Sequence, residues 1–262
     1  MGLQRVRPFS GKQYPEAQRE AIAALWKWYD VSGSDRATKE DAARVRSGGQ
    51  PLRVPAMHWR LLEDRCRRLK VDPVPLANRL EATARLRYGD GPVSGAEITP
   101  FLDQLVGCVA STYVSLIGMK GSWQRKSASE FAQGLILLEY LQWAPEYARR
   151  GMTLFCRKEL KQAGITVDDL AGTEPPKGYR ALAWKQSIRA RDALAGARTL
   201  IVELDFLDRL YTKRVWFAAL ESLYVLDKRD FDVWTEKPSL SPVAKARVGI
   251  QSIFGRTAFR SS

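Results

Sequence analysis

Arg149 and Arg150 are the residues of this chain whose type and spacing most directly suggest chemistry, because they lie side by side just before Gly151. Neighbouring guanidinium groups can bind a phosphate or a lipid head group through charge-assisted hydrogen bonds. Two cations ahead of a glycine are also typical of a helix C-terminus, where they stabilise the helix dipole. The sequence therefore leaves two interpretations open: a phosphate or lipid head-group contact, or the end of a helix.

Glu139 and Glu146 precede this pair and are candidate metal ligands, because hard cations such as Mg²⁺ bind carboxylate oxygens. A spacing of seven residues places both on one face of a continuous helix, two turns apart. At that separation they cannot chelate a single ion, so we favour one buried, paired acid and one exposed acid. We predict no metal ion and no cofactor for this chain.

Cysteine and histidine offer no other metal site. The three cysteines have no C-x-x-C spacing, and their odd number does not suit a disulfide framework. A zinc site is unsupported with a single histidine, and a catalytic triad would depend on that one residue, His58.

The charge balance favours an acidic partner. The chain has 42 Lys+Arg against 29 Asp+Glu, a net charge of +13, which suits RNA, an anionic membrane or an acidic protein face. A generally basic surface without a dedicated partner explains the charge equally well, because the basic residues are scattered. Hydrophobic residues make up 45%, which excludes a disordered chain, and no apolar run is long enough for a transmembrane helix.

A helical period of hydrophobic residues predominates along the chain, and the period of two that indicates strands is essentially absent. We predict an all-α single domain over residues 14–254, between a basic extension (1–13) and a basic tail (255–262). Pro238 and Pro242 leave the last part of this domain without a predicted helix. The predicted helices cover residues 16–29, 58–69, 75–88, 99–117, 127–147, 154–162, 179–207 and 209–226.

Four segments, in the same order along the chain, resemble signatures of the squalene/phytoene synthase family. The most specific is the apolar helix that runs into Ala148-Arg149-Arg150-Gly151, followed by a second helix and a Gly-Ile turn. The other three segments are weaker. They are Tyr14-Pro15 with Arg19-Glu20-Ala21, Phe101 to Gly118, and Tyr224 with Phe231-Asp232-Val233.

The resemblance implies an isoprenoid-synthase-like helical bundle. In that family two Asp-rich helices hold Mg²⁺ ions, which bind prenyl diphosphates and neutralise the departing diphosphate. The first Asp-rich motif aligns with Gly33, Ser34 and Ala37, which we call the first motif positions. The second aligns with Trp143 and Tyr147, the second motif positions. Neither set supplies a carboxylate.

A different register rescues at most one of the two motifs. A small shift could bring Asp30 and Asp35 into the first motif, but none brings two carboxylates into the second. Trp143 and Tyr147 suggest that the cavity of the family's enzymes is filled and the helix repacked as solid core. We therefore predict a pseudoenzyme without catalytic residues.

The function predicted from the resemblance is that of an accessory subunit or assembly factor of a mitochondrial membrane complex, with respiratory complex I first, because the family includes a mitochondrial assembly factor of that complex. The basic start of the chain, without an acid before Glu16, fits a location on the matrix side or peripheral to the inner membrane. Expected partners are protein subunits and anionic phospholipid, ahead of nucleic acid. Two alternatives stay open: a prenyl-diphosphate condensing enzyme with relocated metal ligands, and a mitochondrial ribosome accessory protein.

Overall fold

The computed structural model describes residues 13–34 and 36–255, and within these ranges the chain is helical without strands. The predicted all-α class is confirmed. The extension predicted for residues 1–13 and the tail predicted for residues 255–262 lie almost entirely outside the described residues.

Fourteen α-helices make up the described part of the chain. The first six are α1 (Glu16–Ser32), α2 (Lys39–Arg46), α3 (Ala56–Arg68), α4 (Ala77–Arg87), α5 (Gly95–Leu102) and α6 (Cys108–Leu116). The next five are α7 (Ser122–Gln142), α8 (Ala144–Ala148), α9 (Arg157–Ala163), α10 (Val167–Ala171) and α11 (Tyr179–Gly196). The last three are α12 (Arg198–Glu203), α13 (Phe206–Lys228) and α14 (Pro242–Phe254).

Helix α7 lies at the centre of the bundle, between α6 and α11. Residues 131–141 are all buried, as their apolar composition predicts. Gly134 permits the close crossing of α11, because a Cβ there would lie 2.7 Å from Leu194 Cγ and 3.0 Å from the carbonyl oxygen of Ala190. None of the described helices, α7 included, combines the length and apolar character needed to cross a membrane.

The single helix predicted over residues 127–147 is wrong at its C-terminal end. The chain leaves helical geometry at Trp143 (φ −125°, ψ 26°), which separates α7 from α8. The cause is Pro145, which has no N–H to donate to the preceding turn and whose ring would clash with it. Glu139 and Glu146 therefore lie on two different helices, and not on one helical face as predicted.

The helix predicted to open at Thr99-Pro100 begins earlier, at Gly95. Its first turn is held by Glu97, which accepts hydrogen bonds from the Val93 N–H (3.2 Å) and the Ser94 hydroxyl (3.4 Å). Ser-x-x-Glu has the spacing of a capping box and was overlooked as a start signal, but the reciprocal bonds of a capping box do not form, because the Ser94 side chain makes no cap hydrogen bond. A π-helical stretch (Asp103–Gly107) then joins α5 to α6.

Two further predictions differ from the structure. The helix predicted over residues 179–207 is divided at Ala197 into α11 and α12. No helix is predicted for the residues that form α2, α10 and α14. The Ser241 hydroxyl caps α14 by accepting a hydrogen bond from the Ala244 N–H, and Pro242 fits its first turn.

Candidate functional site

The first motif positions lie beyond the end of α1. This helix ends at Ser32, Gly33 and Ser34 form a turn, and Ala37 is buried in the connection to α2. Two residues four apart share a face only where the backbone is helical. Positions 33 and 37 therefore do not face a common point in the way that the family's motif requires.

A buried arginine of α4 lies beside the first motif positions. Arg79 is fully buried and donates hydrogen bonds to Ser32 Oγ (2.9 Å), to the Tyr29 carbonyl (3.1 Å) and to the Leu105 carbonyl (2.5 Å). Its guanidinium carbon lies 3.8 Å from the centroid of the Tyr29 ring. Three oxygen acceptors and one aromatic face thus surround a cation that burial alone would make costly.

Gly33 is the residue that admits this guanidinium. A Cβ at position 33 would lie 2.8 Å from Arg79 Nη2. Any side chain at this position would therefore require the guanidinium to shift. Arg87, also on α4, donates to the Ser34 carbonyl, so the same helix bonds to the end of α1 and to the turn that follows it.

Tyr147, one of the second motif positions, is buried between α7 and α8. Its ring stacks on Tyr140, with centroids 3.9 Å apart and planes 10° apart. Its hydroxyl donates a hydrogen bond of 2.5 Å to Glu139 Oε1. Because Glu139 is itself buried, this bond offsets part of the cost of removing a carboxylate from water. Tyr147 is therefore part of the packed core, and the repacking of the family's cavity stays a prediction.

Trp143, the other second motif position, has a different environment. It lies half-buried at the break between α7 and α8, and Lys237 Nζ stands 4.1 Å from the centroid of its ring. Lys237 also forms an ion pair with Glu146, at 2.8 Å. Trp143 packs against the hydrophobic core with part of its surface only, so whether it fills the cavity of the family's enzymes stays a prediction.

Three tyrosines line the space between the two sets of motif positions, and the pKa of each is raised. Burial raises the pKa of Tyr29 to about 12, while the nearby charge of Arg79 opposes the shift. Burial, followed by the neighbouring Glu139 carboxylate, raises the pKa of Tyr140 and of Tyr147 well above the ordinary value of 10. At neutral pH these phenols stay protonated. Tyr147 donates to Glu139, whereas the buried Tyr140 hydroxyl has no hydrogen-bond partner among the described residues.

Arg149 and Arg150 follow α8, immediately before a glycine with a φ of 70°. The Arg149 guanidinium donates to the carbonyls of Ala171 (3.1 Å) and Gly172 (3.3 Å), at the end of α10. The charge of Arg150 lies close enough to Tyr140 to lower the pKa of that phenol in part. Both arginines are exposed, so a contact with a phosphate or lipid head group remains a prediction.

Two small cavities lie beside α7. The first, of about 20 Å³, separates α7 from α1 and α6, and the second, of about 10 Å³, lies against the Tyr140–Tyr147 stack. Each has room for about one water molecule, so neither holds a prenyl chain. A much wider groove, of about 770 Å³, lies on another side of α6 and α7, where polar residues such as Asp103, Ser111 and Lys120 predominate.

The Mg²⁺ ions implied by the resemblance do not fit the residues at either set of motif positions. The first set offers a turn beside the Arg79 cation, and the second offers an indole and a phenol. Of the alternative ligands, Asp30 lies in the last turn of α1 and Asp35 falls outside the described residues. Within residues 13–34 and 36–255, no group of three or more His, Cys, Asp or Glu side chains is placed to hold a metal ion. We assign no Mg²⁺-dependent step to these residues.

Arg79 is the site residue that the sequence analysis missed. A signal for it exists in the helical register of α4, because Leu76, Thr83 and Leu86 at spacings of −3, +4 and +7 are buried with it. An arginine in the middle of an apolar stripe indicates a buried cation with partners. The sequence does not reveal those partners, because they lie on α1 and on the π-helical stretch.

A single helical bundle with a central apolar helix, flanked by these two sets of positions, defines an isoprenoid-synthase-like protein. The chain belongs to the squalene/phytoene synthase family, which it matches over residues 8–244. No curated protein sequence matches it significantly.

Solved structures of the same fold are similar to almost the whole chain. A dehydrosqualene synthase in complex with a ligand is 14% identical, with a TM-score of 0.69, and the match covers 92% of this chain and 88% of that one. Squalene synthase HpnC from Alicyclobacillus acidocaldarius is 15% identical, with a TM-score of 0.67 and coverages of 83% and 86%. YisP from Bacillus subtilis subsp. subtilis strain 168 is 12% identical, with a TM-score of 0.64 and coverages of 90% and 85%. At these identities the likeness concerns the fold.

Proposed function

We propose that this member of the family is not an enzyme and acts as an accessory or assembly protein of a larger complex. The position of Arg79 is the main support for the proposed loss of catalysis. Its fully buried guanidinium lies against Gly33, where the family's pattern places an acid that binds Mg²⁺. A fixed cation at this point repels a divalent cation, most strongly in a buried environment.

The second motif positions support the same proposal, because aromatic side chains occupy space that a substrate would need. The Tyr140–Tyr147 stack and the Tyr147–Glu139 hydrogen bond occupy the region between α7 and α8. The neighbouring cavities of about 10 and 20 Å³ are far smaller than a prenyl chain requires. A prenyl chain placed between α7 and α8 would therefore require this part of the core to open.

The complex that we propose is a mitochondrial membrane complex, with respiratory complex I as the first candidate. Two features support it: the resemblance to a family that includes a mitochondrial assembly factor of complex I, and the net charge of +13. A basic protein is attracted to anionic lipid and to acidic subunits on the matrix side of the inner membrane.

Incubation of the purified protein with farnesyl or geranylgeranyl diphosphate and Mg²⁺ tests the loss of catalysis. We expect no diphosphate release above the Mg²⁺ blank, under conditions in which an active dehydrosqualene synthase releases it. Mg²⁺-dependent release that disappears in Asp30→Asn or in Glu139→Gln would contradict the proposal, and would identify relocated metal ligands.

Purification of the tagged protein from its native cells in mild detergent tests the second half of the proposal. We expect it to co-purify with subunits of an inner-membrane respiratory complex. Recovery with ribosomal RNA, decreasing steeply as salt is raised, would favour the ribosomal alternative instead. Recovery of the protein alone at every detergent concentration would contradict an accessory role.

A further inference from the structure

A groove of about 770 Å³ runs along α6 and α7, and its volume lies within the range of small-molecule binding sites. Ser111 and Thr112 line it from α6. At 100° per residue, they lie on the opposite side of this helix from Val109 and Ala110, which line the cavity of about 20 Å³. The groove is therefore separate from the space between the motif positions. We call it the α6–α7 groove.

The two helices run antiparallel along the α6–α7 groove, which places different residues at its two ends. Ser111 Oγ of α6 donates to the Arg125 carbonyl of α7, at 3.1 Å. Earlier in the chain, Asp103 of the π-helical stretch accepts from Ser129 Oγ of α7, at 2.6 Å. Asp103 therefore lies at one end of the groove, and Arg125 lies toward the other.

Asp103, Ser129 and Gln133 form a hydrogen-bonded chain, which we call the polar end of the groove. The Asp103 carboxylate can only accept, so the Ser129 hydroxyl donates to it and in turn accepts from Gln133 Nε2, at 2.8 Å. This order places the amide nitrogen of Gln133 on Ser129. It leaves Gln133 Oε1 without a partner among the described residues, although the residue is only 6% exposed. This oxygen needs a donor, which a molecule in the groove can supply.

The π-helical stretch positions the polar end. A Cβ at Gly107 would overlap both Ser129 Oγ and Asp103 Oδ1, so a side chain at this position would separate the two groups. Short π-helical insertions in α-helices frequently occur at functional sites, because they change the direction of the side chains around them. Local geometry and a close approach of two helices thus both serve the contact between Asp103 and Ser129.

Lys120 and Arg125 form the basic end of the groove. Both are exposed, and the Arg125 guanidinium donates to the Lys120 carbonyl, at 2.8 Å, which restrains it. The Lys120 ammonium has no ion-pair partner in the part of the chain that the structure describes. At about 1.5 Å per residue, Arg125 and Gln133 are about 12 Å apart along α7, so one molecule that contacts both ends must be elongated.

The other acids that line the groove have partners of their own. Glu130 pairs with Lys126, at 3.8 Å, and Asp72 accepts from the Val74 N–H, at 2.9 Å. The two ends of the groove therefore differ in character: hydrogen-bond acceptors at the polar end, and cations at the basic end.

We propose that the α6–α7 groove binds a hydroxylated organic phosphate, with its phosphate at the basic end and its hydroxyl groups at the polar end. A phosphate monoester carries close to two negative charges and three acceptor oxygens, which suits a neighbouring Lys and Arg. Sugar hydroxyls donate to Gln133 Oε1 and to the exposed Asp103 carboxylate, as acidic side chains accept from ribose hydroxyls in nucleotide sites. Sugar phosphates and nucleoside phosphates share this chemistry. The site is independent of whether the protein is catalytic.

Isothermal titration calorimetry of the full chain with AMP, ribose 5-phosphate and inorganic phosphate tests the proposal. We expect at least one of the two organic phosphates to bind about tenfold more tightly than inorganic phosphate, which cannot contact both ends. Tighter binding of AMP would support a nucleoside phosphate as the ligand, and equal or tighter binding of ribose 5-phosphate would support a sugar phosphate. Equal affinity for all three, or no binding of either organic phosphate at millimolar concentration, would overturn the proposal.

Two variants test the ends of the groove separately. Lys120→Ala combined with Arg125→Ala should weaken the binding of organic and inorganic phosphate alike, about tenfold or more, because both cations are lost. Gln133→Met should weaken only the organic phosphate, about fivefold, because it removes the acceptor for a hydroxyl group and leaves the basic end intact. Circular dichroism confirms that each variant is folded. Unchanged affinity for the organic phosphate in both variants would overturn the proposal.

The matched control is Lys27→Ala combined with Arg60→Ala. It removes the same net charge from exposed positions on α1 and α3 that do not line the groove. It should retain full affinity for the organic phosphate. A loss equal to that of the Lys120/Arg125 variant would mean that the phosphate is attracted by the overall positive charge, and would overturn the proposed site.

Discussion

The two sets of motif positions differ from the family's pattern in opposite physical ways. At the first set, small residues leave space, and a cation from another helix occupies it: Gly33 admits Arg79, whose guanidinium bonds to the end of α1. At the second set, large residues fill space themselves, and Tyr147 stacks on Tyr140. The first set is occupied by the cationic side chain of Arg79, and the second by its own large aromatic side chains.

The comparison teaches which replacement the rest of the fold depends on. Arg79 links α4 to α1 and to the π-helical stretch through Ser32, Tyr29 and Leu105. The hydroxyl and the ring of Tyr147 link α8 to the adjacent end of α7. A residue that joins three separate segments should matter more for stability than one that joins two consecutive helices.

Arg79→Met is the variant with the largest expected effect. Methionine has a similar length but no donors, so it would leave three acceptors around a buried site without their guanidinium. We expect a loss of about 3–5 kcal/mol in the free energy of unfolding, because removing one member of a buried charged network leaves the others desolvated. Urea unfolding followed by circular dichroism measures this loss.

Arg68→Met is the control for this variant. Arg68 is 62% exposed and pairs with Asp64 at 3.0 Å on the surface of α3. An exposed pair of this kind contributes less than about 1 kcal/mol. If Arg79→Met and Arg68→Met lowered the free energy of unfolding equally, the buried Arg79 guanidinium would not stabilise the first motif positions. The two sets of motif positions would then differ only in the size of their side chains.

Most helices and the motif positions could be predicted from the sequence, and the register of α4 indicates that Arg79 is buried, but the partners of Arg79 could not be predicted. The hydrophobic period is local and predicts the helical class. Two local segments give the alignments: Arg19-Glu20-Ala21 aligns Gly33, and Ala-Arg-Arg-Gly aligns Tyr147. The break caused by Pro145 is also local, and proline chemistry would have revealed it. The bonds from Arg79 to Tyr29 and Leu105 span 50 and 26 residues, and only the packing of α4 against α1 brings them together.

Tyr147→Phe tests the second set with a smaller expected effect. It keeps the stacked ring and removes only the hydroxyl that donates to Glu139. We expect a loss of about 1–3 kcal/mol at neutral pH, since a buried carboxylate oxygen loses a close donor. Urea unfolding measures the loss, and Tyr224→Phe, at an exposed tyrosine, is the matched control.

The pH dependence of the free energy of unfolding of Tyr147→Phe shows whether the Tyr147 phenol is buried or exposed. A raised pKa contributes stability that is fully present below the unfolded value of 10 and is lost as the pH rises toward the folded value. Each protected tyrosine should therefore lower the free energy of unfolding by about 1.4 kcal/mol per pH unit above pH 10. We expect Tyr147→Phe to have a shallower alkaline slope than the wild-type protein. Equal slopes would mean that the Tyr147 hydroxyl is open to water.

Trp143→Ala has the smallest expected effect. It tests whether Trp143 and Tyr147 share one buried environment or occupy two different ones. A fully buried tryptophan replaced by alanine costs about 3–5 kcal/mol. Trp143 is half-buried at a helix break with Lys237 over its ring, so we expect about 1–2 kcal/mol. A double-mutant cycle with Lys237→Gln should show a coupling of about 0.5–1 kcal/mol, since the ammonium–ring contact is exposed. A loss as large as that of a buried tryptophan, without coupling to Lys237, would place Trp143 in the interior beside Tyr147, and volume alone would then describe the second set.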